Sequence, residues 1–498
     1  MTSYWLTLPT LLSLLTAVTL FCLKRQPHSV NRVSVASAVT TTIIAGLLLY
    51  DIVVKGPQAI AFGQWMAPFG IVFVADLLAA AMVMVTAVIG VITVIYAMAD
   101  LRSKPSYGVF HALIHTLLAG VYGAFLTGDI FNLYVWFEVM LIASFGLMVL
   151  DANQKQIDGA VKYVILNLVS TLVMLLAIGL LYGATGTLNL ADLHLKTTFV
   201  APETNTLLAA LFLFAFAIKA ALFPVFAWLP ASYHTLPSAV LALFAALLTK
   251  VGIYALMRIF TLIFPLDDSG WQSTLMWVAA LTMLTGVLGA ASQVNIKRIL
   301  SFHIISQIGY MIMGLAIFTP LAITGALFYI VHHILVKANL FLIGGFIERK
   351  YGTAQLAQLG GVYKAMPWLA VGFLITAFSL AGFPPLSGFW GKFLVIKASL
   401  QTEHYWLAAT ALLVGLLTVY SMTKIWNQVF WKKGKQNTFV EPLSQSVHWQ
   451  YCIPIGLLTA TSLMIGLMAE PFYLFALNAS EQLLHPIAYV EAVLGGVR

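Results

Sequence analysis

Apolar runs of about 20 residues, separated by short polar breaks, recur from one end of the chain to the other. Each is long enough to cross a hydrocarbon core of roughly 30 Å as a helix. At this length and hydrophobicity the spanning element is a helix, because a helix satisfies its own backbone in lipid. The runs predict spans at 4–23, 34–54, 71–97, 109–127, 130–150, 160–183, 206–229, 237–261, 272–293, 299–318, 321–347, 367–400, 404–430 and 452–476. The expected fold is an all-α integral membrane protein of about fourteen spans. The first run is followed by Lys24-Arg25. A cleaved signal carries its positive charge before the run, so 4–23 is expected to stay as the first span.

The loops give that count an orientation. One side collects Lys24, Arg25, Arg32, Arg102, Lys104, Lys155, Lys297, Arg298, Arg349, Lys350, Lys364, Lys432, Lys433 and Lys435. The other has Lys55, Lys196, Arg258, Lys397 and Arg498. The positive-inside rule makes the first side cytoplasmic. The expectation is a multi-pass protein of a bacterial inner membrane with both termini outside. Composition agrees: 61% of the 498 residues are hydrophobic and 8% charged, against about 25% charged in a soluble domain. The net charge of +8 is loop charge facing lipid headgroups, not a nucleic-acid surface. Cys22 and Cys452 support neither a disulfide framework nor a metal cluster. No cofactor and no metal are expected.

Two spans carry the same interruption. Ala221-Leu222-Phe223-Pro224 lies inside 206–229, and Ala381-Gly382-Phe383-Pro384, followed by Pro385, lies inside 367–400. The prolines are 160 positions apart (384 − 224). The fourth and ninth spans start 163 apart (272 − 109). Spans 4–8 and 9–13 therefore read as two copies of a five-helix unit. Five is odd, so the second copy is inverted. Inverted repeats with broken helices mark secondary transporters, with sites near the breaks. The expected organisation is 1–108 for the N-terminal spans, 109–265 and 266–435 for the two repeats, and 436–498 for the last span and tail.

Buried charge is the remaining signal. Lys162 and Lys424 fall near span ends and can snorkel to headgroups. Lys219, Lys250, Lys337 and Lys392 fall well inside spans, where a lysine costs about 2.5–3.5 kcal/mol on insertion scales. They face a polar interior, pair with acids or are partly neutral. The available acid is Glu138. His332 and His333 share a span with Lys337, and His333 lies on its face at i, i+4. Groups of this kind change protonation when a neighbour changes, as a proton relay requires. Pro224, Pro384 and Pro385 free nearby carbonyls at membrane depth. Blander roles stay open: Glu138 as a static counter-ion, Lys250 as a partner of a carbonyl, and one of the adjacent histidines as packing. Asp76 is expected to be structural, and Asp51 and Asp129 to be solvated caps. Asn478-Ala479-Ser480 matches a glycosylation pattern.

These segments together resemble the antiporter-like membrane subunits shared by respiratory complex I and the Mrp multisubunit sodium/proton antiporters. The resemblance is carried by Tyr134-Val135-Trp136-Phe137-Glu138, by Leu236-Pro237-Ser238 through Lys250-Val251-Gly252, and by Asn295 through Ser301. His332-His333 with Lys337-Ala338, and Gly382-Phe383-Pro384-Pro385 through Lys392-Phe393, extend it over most of the chain. It implies a proton path through the mid-membrane, with Glu138 paired to Lys219, then Lys250 and the eleventh span, then Lys392. Phe226 through Tyr233 is similar to the D-type subunits of the Mrp branch; Ala231 and Ser232 depart from the acidic and histidine residues usual in the complex I branch. The implied function is proton-translocating secondary transport in exchange for sodium, beside other Mrp subunits. The alternatives are a proton-pumping subunit of a complex I-like or hydrogenase complex, whose electrons a partner would carry, and a self-sufficient symporter.

Overall fold

The computed structural model describes residues 4–102, 104–266, 270–433 and 445–495. Lys435, Arg498 and positions 436–444 lie outside the described residues. The chain opens with α1 (Leu8–Cys22), α2 (Pro27–Lys55) and α3 (Leu77–Asp100). Next come α4 (Tyr107–Leu126), α5 (Ile130–Met148), α6 (Gln154–Thr185), the short α7 (Leu190–Lys196), α8 (Pro202–Ala220), the short α9 (Trp228–Ser232) and α10 (Ser238–Leu262). Then follow α11 (Trp271–Ser292), α12 (Ile296–Ile317), α13 (Pro320–Tyr351), the short α14 (Val362–Ala365), α15 (Pro367–Ala381), α16 (Ser387–Gln401) and α17 (Tyr405–Ile425). The last helices are α18 (Gln445–Leu467), α19 (Ala469–Leu484) and α20 (Ile487–Leu494). Among the described residues, 12 helices are long and apolar enough to cross a membrane, and α1 and α15 are shorter apolar helices.

The helices follow the apolar runs, with two informative differences. The run at 71–97 does not begin as helix. Val72–Ala75 form β2, which pairs antiparallel with β1 (Gln58–Ala61). Two valines and a phenylalanine read as helix by hydropathy, yet they suit a buried strand. The helix starts only after Asp76, whose carboxylate accepts from Ala79 N–H at 2.8 Å. At the other end, 452–476 is not one helix. It breaks at Met468 (φ −115°, ψ 53°) and continues as α19 to Leu484. Pro471 explains the break: it has no N–H for the Leu467 carbonyl and its ring would clash there.

Both interruptions seen in the sequence form as helix breaks. Helix α8 ends in left-handed Ala221 (φ 59°), and Leu222 N–H turns back to Ala217 O at 2.9 Å. Helix α15 ends in left-handed Gly382 (φ 95°), and Phe383 N–H turns back to Phe378 O at 3.1 Å. These are the same helix-ending closure. A second motif also occurs twice. Ile130 N–H bonds Leu188 O and Leu190 N–H bonds Gly128 O, each at 2.9 Å. Ile296 N–H bonds Ala354 O and Leu356 N–H bonds Val294 O, each at 3.0 Å. Every group of the second set lies 166 positions after its counterpart (296 − 130). The two sets sit at opposite ends of α3. Gly128 N–H reaches Val72 O at 2.8 Å near its start. Near its end, Ala239 N–H reaches the Asp100 carboxylate at 3.3 Å.

Helices α10 and α13 form the centre. They pack on each other, α10 also on α8 and α3, and α13 on α12, α16, α18 and α19. Helices α2 and α6 line the outside and expose large apolar side chains such as Ile43, Ile165, Leu172 and Leu176. An apolar exterior is what lipid demands, and the polar side chains are correspondingly collected inside.

Candidate functional site

Lys219, Lys250, Lys337 and Lys392 are buried, with 7%, 0%, 0% and 6% of their surface exposed. Among the described residues no carboxylate oxygen lies within 4.0 Å of any of their nitrogens. Each ammonium instead meets a backbone carbonyl. Lys392 Nζ donates to Leu380 O at 3.0 Å and to Ala381 O at 3.2 Å. Those carbonyls end α15, where the break leaves them without helical partners and the helix dipole is negative. Lys219, in the last turn of α8, reaches Asn167 O at 3.5 Å. Lys337 donates to Leu300 O at 3.0 Å, and Lys250 to Ala245 O. Aromatic faces add to this. Lys219 sits 5.4 Å from the Phe137 ring, and Lys392 sits 4.6 Å from Tyr310 and 5.9 Å from Tyr329.

Two glycines bring these groups to the breaks. A Cβ on Gly252 would lie 2.8 Å from Ala220 N, so its absence lets α10 press against the end of α8. That sets the Lys250 turn beside Lys219. A Cβ on Gly388 would lie 1.9 Å from Ser379 O and 2.7 Å from His332 Nε2. Its absence lets α16 fold back onto α15 and α13. At the first break Trp228 Nε1–H donates to Ile218 O at 3.0 Å, and Phe223 N–H donates to Thr282 Oγ1 at 3.0 Å.

The histidines lie between the lysines. His332 Nδ1 is bonded to Ser387 Oγ at 2.8 Å, while its Nε2 is buried without a partner among the described residues. Both ring nitrogens of His333 are likewise buried and unpartnered. His333 is within electrostatic reach of Lys250, Lys337 and Lys392. One member of the group escaped the sequence reading: His303 of α12, fully buried, with neither nitrogen partnered among the described residues. The 166-residue spacing of the loop bridges carries Glu138 to position 304 (138 + 166), next to His303, whereas the offsets of 160 and 163 read from the sequence do not.

Glu138 is half-buried on α5 and makes no contact ion pair among the described residues. The pairing with Lys219 implied by the family resemblance is thus not a salt bridge in this structure. The Phe137 ring stands beside the ammonium, and Glu138 acts on it electrostatically across a gap.

Several other charges have structural places. Arg258 is not a loop residue: it is buried in α10 and pairs with Asp76 at 2.7 Å, beneath the Tyr489 ring. Asp76 thus both caps α3 and holds this arginine. Lys424 also caps α11, donating to Ala291 O at 3.0 Å and Gln293 O at 2.8 Å. Lys162 pairs with Asp158 at 2.6 Å on the surface. Asp51 pairs with Lys55 and accepts from Gln58 at 2.8 Å. Asp129 caps α5 through Asn132 N–H at 2.7 Å, and burial raises its carboxyl above the usual carboxylate range. Asn478-Ala479-Ser480 lies inside α19, with Ser480 buried and bonded to Thr324 at 2.9 Å. It is not a loop acceptor for a glycan.

With this geometry in place, comparison with known proteins is direct. Residues 127–418 match the family described as NADH:quinone oxidoreductase/Mrp antiporter, TM. The chain is 47% identical over 470 residues to the D subunit of the Na+/H+ antiporter of Alkalihalophilus pseudofirmus, covering 94% of each protein. It is 38% identical over 489 residues to the D subunit of the Na+/H+ antiporter of Bacillus subtilis, covering 98% of each. A chain in the structure of the Mrp complex from a Dietzia species superposes with a TM-score of 0.91 at 33% identity, covering 98% of this chain and 99% of that one. The chain belongs to the NADH:quinone oxidoreductase/Mrp antiporter family of membrane proteins, and within it to the D subunits of Na+/H+ antiporters.

Proposed function

We propose that this chain is the proton-translocating subunit of a multisubunit Na+/H+ antiporter, a secondary transporter and not an enzyme, working beside other Mrp subunits in a bacterial cell membrane. The observation that carries this is four buried lysines with no acid in contact among the described residues, held by backbone carbonyls and accompanied by unpartnered buried histidines. Such a lysine can pass its proton on without leaving a buried counter-ion unpaired. The relay runs laterally: Glu138 and Lys219, then Lys250, His333 and Lys337, then His332 and Lys392. Pro224, Pro384 and Pro385 mark the breaks that supply its carbonyls.

We also infer fourteen spans, with α15–α16 one interrupted span and α18–α19 another, and two inverted five-helix units. The recurrence of the loop bridges 166 positions on, at opposite ends of α3, supports the inversion. Both termini then face outward, and the end carrying Arg349, Lys350 and Lys364 faces the cytoplasm. The boundaries 1–108, 109–265, 266–435 and 436–498 follow from the same repeat. The complex I-like alternative is weaker, because the curated relatives at 47% and 38% identity are antiporter subunits.

Everted vesicles containing the whole complex test the relay. Sodium addition should collapse a preformed pH gradient. Glu138→Ala and Lys219→Ala should each abolish that collapse at normal complex levels. If both leave it intact, no relay runs through the first half.

A further inference from the structure

Helix α18 lies outside both repeat units, yet it packs on α13, α15 and α16. It completes a ladder of polar side chains that starts at the second break. Ser387 Oγ is bonded to His332 Nδ1 at 2.8 Å, to Ser379 Oγ at 2.8 Å and to Ser462 Oγ at 3.0 Å. One turn away along α15 and α18, and two along α13, Asn339 donates to Thr376 Oγ1 at 2.9 Å and to Thr459 Oγ1 at 2.8 Å. The steps from His332 to Asn339 on α13, Ser379 to Thr376 on α15 and Ser462 to Thr459 on α18 all lead the same way. They lead toward the end of the molecule that carries Arg349, Lys350 and Lys364.

On α15 and α18 the two rungs are one helical turn apart, about 5–6 Å, a distance a single water spans. Asn339 Oδ1 is buried with no partner among the described residues, and a water is the donor that fits such a site. Below this rung the space is loosely filled. A Cβ on Gly372 would meet Thr459 Oγ1 at 3.5 Å, Ile455 at 3.8 Å and Ile343 at 4.0 Å. Beyond that apolar turn come the Tyr451 hydroxyl, buried with no partner among the described residues, and the Tyr96 ring, with ring centroids 4.8 Å apart. A polar cavity of about 290 Å³, lined by Asp100, Lys297 and Glu348 among others, opens at the same end.

We propose that α18 supplies a water-bridged hydroxyl path between this cavity and His332, by way of Thr459, Thr376, Ser462, Ser379 and Ser387. The proposal rests on the relay role of His332 and Lys392. Each hydroxyl gives one proton and takes one in the same passage, so none is altered. The net event is one proton lost from water in the cavity and one gained at His332 Nδ1, after which the Nε2 proton leaves toward Lys392. Asn339 is a positioning residue: its amide occupies an acceptor site on both threonines, whose hydroxyls rest on the Gly372 and Ile455 carbonyls at 2.6 and 2.8 Å and must turn from them to pass a proton. Structural glue alone accounts less well for the ladder. Interhelical hydrogen bonds in membranes are individually weak, and glue gives no reason to bury beside them an amide oxygen with no partner among the described residues.

The test uses the complete complex in everted vesicles, where the bath faces the cytoplasmic surface. Ser462→Ala combined with Thr459→Val should slow sodium-driven proton movement at least ten-fold at wild-type complex levels. The apparent Na+ affinity should not change, and the rate should become more sensitive to bath pH. Ser462→Thr combined with Thr459→Ser should retain the rate. Gly372→Val, which removes no hydroxyl but places methyl groups against Thr459, should also slow it. A wild-type rate in the Ala/Val variant overturns the path, as does a loss that merely tracks lower complex levels. Lys392→Ala separates the two levels of inference. If it is inactive while the ladder variants are normal, the relay stands and the path falls; if it is active, both fall.

Discussion

Lys392→Arg distinguishes a lysine that releases a proton from one that only caps a helix. Lys392 Nζ donates to two terminal carbonyls of α15, at 3.0 and 3.2 Å, beside the Tyr310 ring. A guanidinium has five N–H donors and stacks on aromatic faces, so arginine can serve both carbonyls. What it cannot do is give up its proton. The reference pKa values, about 10.4 for lysine and at least about 12.5 for arginine, differ by about 2 units. At equal surroundings the neutral form becomes about 100-fold rarer, or about 2.7 kcal/mol less accessible. A relay that passes through neutral residue 392 should therefore slow about 100-fold, while the complex assembles normally. Lys392→Met should fail as well, for both reasons. A purely structural lysine predicts a different pair: arginine active, methionine impaired. The assay is sodium-driven collapse of a pH gradient in vesicles, normalised to complex content by blotting. An arginine variant that exchanges at the wild-type rate refutes the relay through Lys392.

Three further outcomes follow from the packing. Arg258→Met strands the buried Asp76 carboxylate and should cost about 3–5 kcal/mol, read as loss of assembled complex; adding Asp76→Asn should restore most of it. Gly388→Ala forces a Cβ to within 1.9 Å of Ser379 O, so α16 must shift and exchange should fall with Lys392 still present. His234, half-buried just after α9, has its pKa lowered by burial and then by neighbouring Arg298. Its folded pKa lies below the unfolded value of about 6.5, so its contribution to stability is present above pH 6.5 and lost as pH falls below it. Thermal melts of the purified complex between pH 7.5 and 5 should show this decline, and His234→Gln should flatten it.

Hydropathy made most of the architecture legible, because a lipid environment turns each span into an uninterrupted apolar run. The breaks at Ala221 and Gly382 were legible because proline falls at matched places in two runs. The break at Met468 followed the same physics through Pro471, but with no matching copy to draw notice. The strand at Val72–Ala75 was hidden because valine and phenylalanine raise hydropathy whether they enter a helix or a strand. Partners were the hardest to read. Arg258 looks like a loop charge until Asp76, far away in sequence, is brought beneath it. Lys424 looks like a snorkelling residue alone until the end of α11 arrives. Chain pattern gives depth in the membrane, whereas tertiary packing decides which distant group a charge meets.

The absence of contact salt bridges at the four lysines among the described residues bears on how the relay works. A lysine locked to a carboxylate at about 3 Å is a poor carrier, since each release of a proton leaves a buried anion unpaired, at a cost of about 3–5 kcal/mol. A lysine held by backbone carbonyls leaves only dipoles behind when it turns neutral, and the amine still has hydrogens to donate to them. Carbonyl capture is strong enough to orient the ammonium and weak enough to tolerate its discharge. Glu138, near Lys219 but not in contact, then acts as a bias on the first lysine. The broken helices serve this arrangement by exposing carbonyls that an unbroken helix would have consumed. Lys392 uses the two at the end of α15, whereas Lys219 reaches only Asn167 O of α6 at 3.5 Å and is the more loosely held of the pair. In the proposed relay the first half should therefore be the more responsive to a neighbouring charge, and the second half the more firmly set.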